Sequence, residues 1–238
     1  CWYLVGGSTV GLLAGIRALA PFGSEVIVAR NCHKAVYHAL ELGQLTAHYL
    51  TPPVDAAFGI YGSVQPAAVA AALDAHPQAR CVILTSPTYE GVLSDIASIA
   101  RLCHARGVPL LVDEAHGAHY LPFAAQYGWQ GGAVTAGADL VVQSAHKTLP
   151  SLTQTAFLQL NGSLADPAEV ERQLDVFETS SPSYPLLVSL DGCTGWLAQQ
   201  GCAAFAAWRA RLDRFDAAAK KLQNTRILCC GADAPHPD

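Results

Sequence analysis

A lysine follows a short apolar run near the middle of the chain, a position that lysines seldom take. Lys147 lies in the segment SAHKT (144–148), directly after the strand-like residues 140–143 (LVVQ). Lysines normally decorate solvated surfaces, and only 14% of this chain is charged. An amine held beside a buried strand can form an imine with an aldehyde. Taken alone, however, one lysine in a loop is usually an ordinary surface residue.

Other polar segments also follow apolar, strand-like runs. In an open parallel sheet, ligands gather at the carboxyl ends of the strands, so such segments are expected to share one edge. Their convergence is more informative than any one of them. The four segments are GGSTVG (6–11), TSPTYEG (85–91), DEAHGAH (113–119) and SAHKT (144–148).

Together these segments supply the parts that pyridoxal phosphate (PLP) chemistry requires. Lys147 would form the imine, Asp113 would pair with the protonated pyridine nitrogen, and His33 would stack on the ring. We therefore predict PLP as the cofactor and these three residues as catalytic. The predicted phosphate-side ligands are Ser8, Thr9, Ser144 and His146.

Several of these segments have competing interpretations. Residues 6–11 fit a helix N-cap with turn glycines, and they match neither a Walker A loop nor GxGxxG. The letters DEAH resemble a helicase Walker B motif, but the lysine-bearing phosphate loop is absent. A zinc site at Asp113, His116 and His119 lacks HExxH spacing, so we predict no metal site. By itself, His33 is equally typical of a capping or exposed residue.

Short apolar runs alternate with helical segments along most of the chain. This alternation predicts an α/β fold with three α/β/α layers and a mostly parallel, mixed sheet. After about residue 166 the sequence becomes rich in alanine and leucine and helical in pattern. We predict a PLP-binding domain over 1–190 and a helical continuation over 191–238, leading towards a small C-terminal domain.

Composition narrows the class of protein. The net charge is -5 and no basic stripe is present, so nucleic acid is not an expected partner. No apolar run approaches the ~20 residues of a membrane span, so no membrane partner is expected. The eight cysteines form no CxxC pair, which favours reduced thiols in a cytoplasmic protein. The low charged fraction favours an oligomer.

The motifs, taken in order, resemble the major domain of the Orn/Lys/Arg decarboxylase family, which has the aspartate-aminotransferase-type fold (fold type I) of PLP enzymes. The similarity extends over most of the chain. Alanine at position 35 departs from the serine usual in the family, and the start at Cys1 leads us to expect a missing N-terminal segment. The matching segments are GGSTVG (6–11), RNCHKA (30–35), TSPTYEGVLSDI (85–96), PLLVDEAHGAH (109–119), GADLVVQSAHKTLPSLTQ (137–154) and ETSSPSYPLLVSLD (178–191).

The resemblance implies a role for each matching residue. Lys147 would be the Schiff-base lysine, Asp113 the pyridinium partner and His33 the stacked imidazole. Ala115 and His116 would lie against the ring and its 3-hydroxyl side, and Ser8, Thr9, Ser144 and His146 on the phosphate side. Thr179 and Ser180 are similar to a segment that reaches the phosphate site of a neighbouring subunit, which implies a homodimer or a higher oligomer.

The resemblance also implies an activity. It is the decarboxylation of arginine, lysine or ornithine to an amine of the polyamine pathway. Two alternatives stay open at this point. One is another fold type I reaction, such as transamination, and the other is an inactive fragment.

Overall fold

A seven-stranded sheet forms the centre of the computed structural model, which describes residues 1–129, 132–225 and 227–228. The strand order is β1-β9-β8-β7-β6-β2-β3, and β4 and β5 form a separate two-stranded ribbon. The strands are β1 (Trp2–Leu4), β2 (Glu25–Ala29), β3 (Thr46–Leu50), β4 (Val54–Asp55), β5 (Ile60–Tyr61), β6 (Val82–Thr85), β7 (Leu110–Asp113), β8 (Leu140–Gln143) and β9 (Ala156–Leu160).

Strand direction decides which loops share an edge of this sheet. Neighbouring strands from β3 through β2, β6 and β7 to β8 are parallel, whereas β9 is antiparallel to both β8 and β1. β1 therefore runs in the same direction as the parallel group. The segments that follow β1, β2, β6, β7 and β8 consequently lie along one edge, the carboxyl edge of the sheet.

Helices cover both faces of the sheet, which accounts for the apolar character of β6, β7 and β8 on both sides. One face packs with α1, α2 and α6, and the other packs with α3 and α4. The prediction of three α/β/α layers around a mostly parallel, mixed sheet is confirmed. The helices are α1 (Gly7–Leu19), α2 (Lys34–Gly43), α3 (Pro66–Ala75), α4 (Ile96–His104), α5 (Ala145–Thr148), α6 (Pro167–Phe177) and α7 (Tyr184–Ala219).

Glycines set the position of α1 against the sheet. Gly7 opens the helix with φ of +79°, a backbone conformation that side-chain-bearing residues rarely adopt. A Cβ on Gly11 would lie 2.8 Å from Leu4 and 3.0 Å from Val142. These glycines let the first turn of α1 begin directly after β1 and let the helix lie close to the strands.

α7 is a single helix of 36 residues that packs on a different part of the molecule. Its buried residues follow one stripe and contact the 3-10 helix Pro122–Tyr127 and the aromatic residues around it. It continues without a break across residue 190, and part of the segment 191–238 lies outside the described residues. The division at residue 190 stays a prediction. The buried stripe consists of Leu190, Cys193, Leu197, Gly201 and Phe205.

Two further observations concern the environment of the protein. None of the helices within the described ranges is long and apolar enough to cross a membrane. The six cysteines that the structure describes are free thiols, and all but Cys1 and Cys202 are buried.

Candidate active site

The carboxyl edge of the sheet positions the residues that the sequence singled out. Asp113 is the last residue of β7, and Lys147 lies in the short helix α5 that follows β8. His33 follows β2 and caps α2, while Ser8 lies in the first turn of α1. Strands that run in the same direction thus bring distant residues together. Ser8 and Lys147, for example, are 139 positions apart in the sequence.

Lys147 is directly hydrogen-bonded within this group. Its Nζ lies 3.0 Å from Nε2 of His116. Partial burial lowers the pKa of Lys147, and the nearby charge of Asp113 opposes that shift. A lowered pKa increases the fraction of the uncharged amine, which is the form that attacks an aldehyde.

The carboxylate of Asp113 is buried and accepts a hydrogen bond from the backbone. The side chain is 3% exposed, and its Oδ1 accepts a hydrogen bond from the backbone N–H of Ala115 at 3.1 Å. Burial raises the pKa of Asp113 to about 6, while the Ala115 hydrogen bond and the charge of Lys147 act in the opposite direction. A positively charged ligand atom beside this carboxylate would compensate for its lost hydration.

His33 acts as a helix cap in this structure. Its Nδ1 accepts a hydrogen bond from the backbone N–H of Ala35 at 3.2 Å, so the capping interpretation considered from the sequence is confirmed. Burial lowers the pKa of His33, and the charge of Lys147 adds to that shift. The imidazole is therefore less readily protonated than that of an ordinary histidine, and although His33 is exposed, its ring is within electrostatic reach of Lys147. Its stacking on a cofactor ring stays a prediction.

The predicted phosphate-side residues lie around the start of α1. Ser144 is fully buried, and its Oγ donates a hydrogen bond to Oγ of Ser8 at 2.9 Å. Thr9 is the next residue of α1, and no acidic residue occupies the first turn of that helix. His146 is oriented by a 2.9 Å hydrogen bond between its Nδ1 and the carbonyl oxygen of Thr155. A helix N-terminus with hydroxyl groups beside it suits an anion.

Buried polar atoms without a partner test whether a polar cofactor fits this edge. Within the described residues, such atoms include Asn31 Oδ1, Thr85 Oγ1 and Thr148 Oγ1. All three follow or end strands on the carboxyl edge, and Thr85 pairs in register with Asp113. Buried polar atoms normally find partners, so their grouping here indicates a polar ligand. The residues present therefore fit a phosphate-bearing, cationic cofactor such as PLP.

Comparison with known proteins decides the family. A sequence model described as "Orn/Lys/Arg decarboxylase, major domain" matches residues 1–227. The chain belongs to the Orn/Lys/Arg decarboxylase family. It is 43% identical over 194 residues to uncharacterized protein YaaO of Bacillus subtilis, covering 80% of this chain and 39% of YaaO. It is 36% identical over 205 residues to an arginine decarboxylase of Halalkalibacterium halodurans, covering 84% of this chain and 40% of that protein.

Solved structures support the same fold. The constitutive lysine decarboxylase of Escherichia coli superposes with a TM-score of 0.69 at 22% identity, covering 92% of this chain and 31% of that one. The expected fold type I architecture and PLP as the cofactor are confirmed at the level of this family and its structural neighbours. The chain spans about 40% of the length of the first curated relatives it matches.

In this member of the Orn/Lys/Arg decarboxylase family, Glu178 lies beside the start of α1 and was not predicted from the sequence. Its Oε1 accepts hydrogen bonds from the backbone N–H groups of Val5 at 2.7 Å and Gly6 at 2.9 Å. A Cβ on Gly6 would lie 2.6 Å from Glu178 Oε2, so this contact requires glycine. No local sequence signal marks a carboxylate that acts 172 positions away.

The contacts of Glu178 also locate the next two predicted residues. Thr179 and Ser180 are exposed, and the segment begins beside residues 5 and 6 of its own chain. Thr179 Oγ1 accepts a hydrogen bond from the backbone N–H of Ser181 at 3.1 Å. The reach of Thr179 and Ser180 into a neighbouring subunit stays a prediction.

Two residues of the DEAHGAH segment differ in their surroundings. Ala115 is buried beside Asp113, whereas His116 is half-buried and contacts both Lys147 and the ring of Tyr89, whose centroid lies 5.3 Å away. Tyr89 is 82% exposed and was not singled out from the sequence, although its segment, TSPTYEG, was. Its place in a polar segment that follows the buried strand β6 is the sequence feature that could have identified it.

The zinc alternative at Asp113, His116 and His119 is not supported. His119 is buried among aromatic rings, with its centroid 5.2 Å from that of Trp208, and its Nδ1 has no partner. Burial lowers the pKa of His119 to about 4. Across the part of the chain that the structure describes, these three residues do not form a group with metal-ligand spacing.

Proposed function

We propose that the protein containing this chain is a PLP-dependent decarboxylase of a basic amino acid. The observation that carries the proposal is the group formed by Lys147, His116 and the buried Asp113 on one edge of a fold type I sheet. Membership of the Orn/Lys/Arg decarboxylase family supports the substrate class. Transamination would use the same scaffold, but no feature of the described residues favours it.

The residues present divide into groups that would hold different parts of PLP. Lys147 would hold the cofactor covalently, and Asp113 would bind the pyridinium nitrogen. His33 would cover one face of the ring, with Ala115 and His116 beside it. When bound, PLP supplies an electron sink for the bonding pair left on the substrate Cα as carbon dioxide departs. The phosphate would be bound by Ser8, Thr9, Ser144 and His146.

The chain's own residues then control protons and charge. Asp113, ionised beside the positive charge of a pyridinium, would keep the pyridine nitrogen protonated. Lys147 Nζ would move a proton at the substrate Cα, and His116 Nε2, at 3.0 Å from Nζ, would share that proton. His33, whose pKa is lowered by burial and by the charge of Lys147, would cover one face of the ring with less tendency to add a second positive charge.

Arginine is the first substrate to test. Relatives named arginine decarboxylase are 31–36% identical to this chain, whereas those named lysine decarboxylase are 26–28% identical. We expect the full-length protein, loaded with PLP, to release carbon dioxide from arginine and to form the corresponding amine. Parallel assays with lysine and ornithine give the specificity. Amino-group transfer to an added keto acid, without release of carbon dioxide, would overturn the proposal.

We also propose a homodimer or a higher homo-oligomer that acts in the cytoplasm, with its product entering polyamine biosynthesis. The low charged fraction and the exposed apolar residues of α7 support assembly, and the free thiols suit a reducing compartment. Size-exclusion chromatography with light scattering tests the assembly. An active monomer at micromolar concentration would contradict it. The exposed apolar residues include Tyr184, Val188 and Phe215.

A further inference from the structure

Two histidines and a glutamate meet at the edge of the sheet opposite the candidate active site. Glu25 is the first residue of β2, His48 lies within the edge strand β3, and His76 caps the C-terminus of α3. Glu25 is the first residue of β2, whereas Asp113 is the last residue of β7, which runs in the same direction. The group therefore lies towards the amino ends of the strands, away from Lys147.

The three side chains are in direct contact. His48 Nε2 lies 2.9 Å from Glu25 Oε2, and the rings of His48 and His76 stack with centroids 3.4 Å apart and an interplanar angle of 12°. One ligand atom from each residue lies within 4.8 Å of the others. All three residues are half-buried, so solvent and ions can reach them.

The backbone of each residue is held in place. His48 pairs in register with Ile27 of β2, and the carbonyl of Glu25 accepts a hydrogen bond from the N–H of Arg80 at 2.8 Å. His76 donates its N–H to Ala72 and accepts one from Ala79. The backbone of all three residues is therefore fixed by hydrogen bonds, and only side-chain rotations change the distances between the donor atoms.

We propose that Glu25, His48 and His76 form a binding site for a divalent transition-metal ion of the Zn²⁺ class. Two imidazole nitrogens and a carboxylate oxygen are a donor set that Zn²⁺ accepts, with water as a further ligand. Donors on one tetrahedral Zn²⁺ lie about 3.3 Å apart, since Zn–N and Zn–O bonds are about 2.0–2.1 Å long. The donor atoms lie within 4.8 Å of one another, and both imidazoles reach one ion when one ring rotates out of the stack so that the two nitrogen lone pairs converge.

The second imidazole is the feature that a metal site explains and a simple ion pair does not. An ion pair between His48 and Glu25 leaves His76 without a role, and two protonated rings 3.4 Å apart would repel each other. A bound metal takes a lone pair from each neutral ring. His76 also lines an open cavity of about 410 Å³ beside Asp74 and Arg106, so solvent reaches its ring. Through its three ligands the metal would connect the edge strand β3 to β2 and to the C-terminal end of α3.

Direct titration with Co²⁺ tests this site. The purified full chain, freed of metal with a chelator and saturated with PLP, is titrated while visible absorbance is followed. We expect one equivalent of Co²⁺ to bind without a thiolate charge-transfer band, which separates the site from the cysteines. His48→Ala and His76→Ala should each weaken binding by about ten-fold or more. His38→Ala, which removes an exposed histidine elsewhere, should bind Co²⁺ as the unchanged chain does.

A near-isosteric variant keeps the test independent of folding. Glu25→Gln retains the shape of the side chain but removes its charge, so it should also weaken Co²⁺ binding while the circular dichroism spectrum stays unchanged. Zn²⁺ should raise the melting temperature of the unchanged chain, and Mg²⁺ should not, because Mg²⁺ prefers oxygen ligands. Absence of Co²⁺ binding would overturn the proposal. So would binding of one equivalent of Co²⁺ that is unchanged in His48→Ala and His76→Ala.

Discussion

The two edges of the same sheet place polar residues by different means. At the carboxyl edge, the site residues follow strand ends in short recognisable segments, such as SAHKT after β8 and DEAHGAH after β7. At the amino edge, Glu25 opens one strand, His48 lies inside another and His76 ends a helix. Only the first arrangement leaves a pattern in the sequence, because a loop gathers several functional residues consecutively whereas a contact between elements does not.

The edges also differ in how their polar groups are satisfied. The carboxyl edge keeps a buried carboxylate at Asp113 and unpartnered oxygens at Thr85 and Thr148, whereas the residues of the amino-edge group contact one another. Buried polar groups that lack a hydrogen-bond partner are expected to bind a polar ligand. This difference predicts that PLP chemistry depends on the carboxyl edge alone, and the variants below test that dependence.

The largest effect is expected at Lys147. Lys147→Ala in the full-length protein removes the amine that holds PLP covalently, so the visible absorbance of lysine-bound PLP should vanish and turnover should fall by several orders of magnitude. Lys220→Ala, at the exposed C-terminus of α7, is the matched control and should keep both. A borohydride-reducible PLP adduct that persists in Lys147→Ala would contradict the assignment.

Asp113→Asn is expected to have the next largest effect. The amide keeps the shape of the side chain but cannot hold the pyridine nitrogen protonated, so turnover should fall by about 10²–10³-fold, as when a preorganised electrostatic partner is removed. Asp175→Asn changes an exposed carboxylate on α6 and serves as control. Near-normal turnover in Asp113→Asn with PLP bound would show that another group fills this role.

The raised pKa of Asp113 predicts a dependence of stability on pH. Its ordinary value is 3.8, and burial raises it to about 6 in the folded chain. Because the folded state binds this proton more tightly, the stability that protonated Asp113 contributes is complete below about pH 4 and is lost as pH rises through 6. Melting temperatures of the PLP-free protein should therefore fall relative to Asp113→Asn over this range. A constant difference between the two would contradict the shift.

Much of the fold could be predicted from local pattern. Strands β6, β7 and β8 directly precede the polar segments at 85–91, 113–119 and 144–148, as the sequence predicts, because each strand is an apolar run that ends in polar residues. The start of α1 at Gly7 is harder to predict, because GGSTVG fits both a phosphate-binding segment and an N-cap, and its glycine supplies the positive φ that begins the helix. The β4–β5 ribbon was missed because each strand has only two residues.

The sequence indicates candidate residues where they lie together in one loop, and it does not indicate those that meet only because distant elements pack together. Lys147 and Asp113 are found from their positions after buried strands. Glu178, which binds the backbone of Val5 and Gly6, and the Glu25 group depend on packing between elements. The sequence separations of 23 and 28 residues within the Glu25 group match no local period, so only the folded chain reveals it.

A smaller effect is expected at His33, which has a capping contact in this structure. His33→Phe keeps an aromatic face for the PLP ring, so most cofactor affinity should remain while part of the turnover is lost. His33→Ala should lose both, with PLP binding weakened by roughly five-fold, the equivalent of about 1 kcal/mol for an aromatic stack. Both variants lose the cap on α2, so their melting temperatures should fall together. Equal PLP affinity in the two would exclude stacking.

The smallest effect is expected at Glu178, where charge and geometry act in opposite directions. Its carboxylate holds the N–H groups of Val5 and Gly6 but lies close to the helix start that would bind the negatively charged phosphate of PLP. Glu178→Gln retains an oxygen acceptor and removes the negative charge, so PLP affinity should rise by about two- to five-fold, in the range of a partly screened charge interaction. Glu178→Ala removes the acceptor, so the loop loosens and affinity should fall. Fluorescence titration with PLP measures both, and a decrease of equal size in the two variants would show that the phosphate does not lie near this carboxylate.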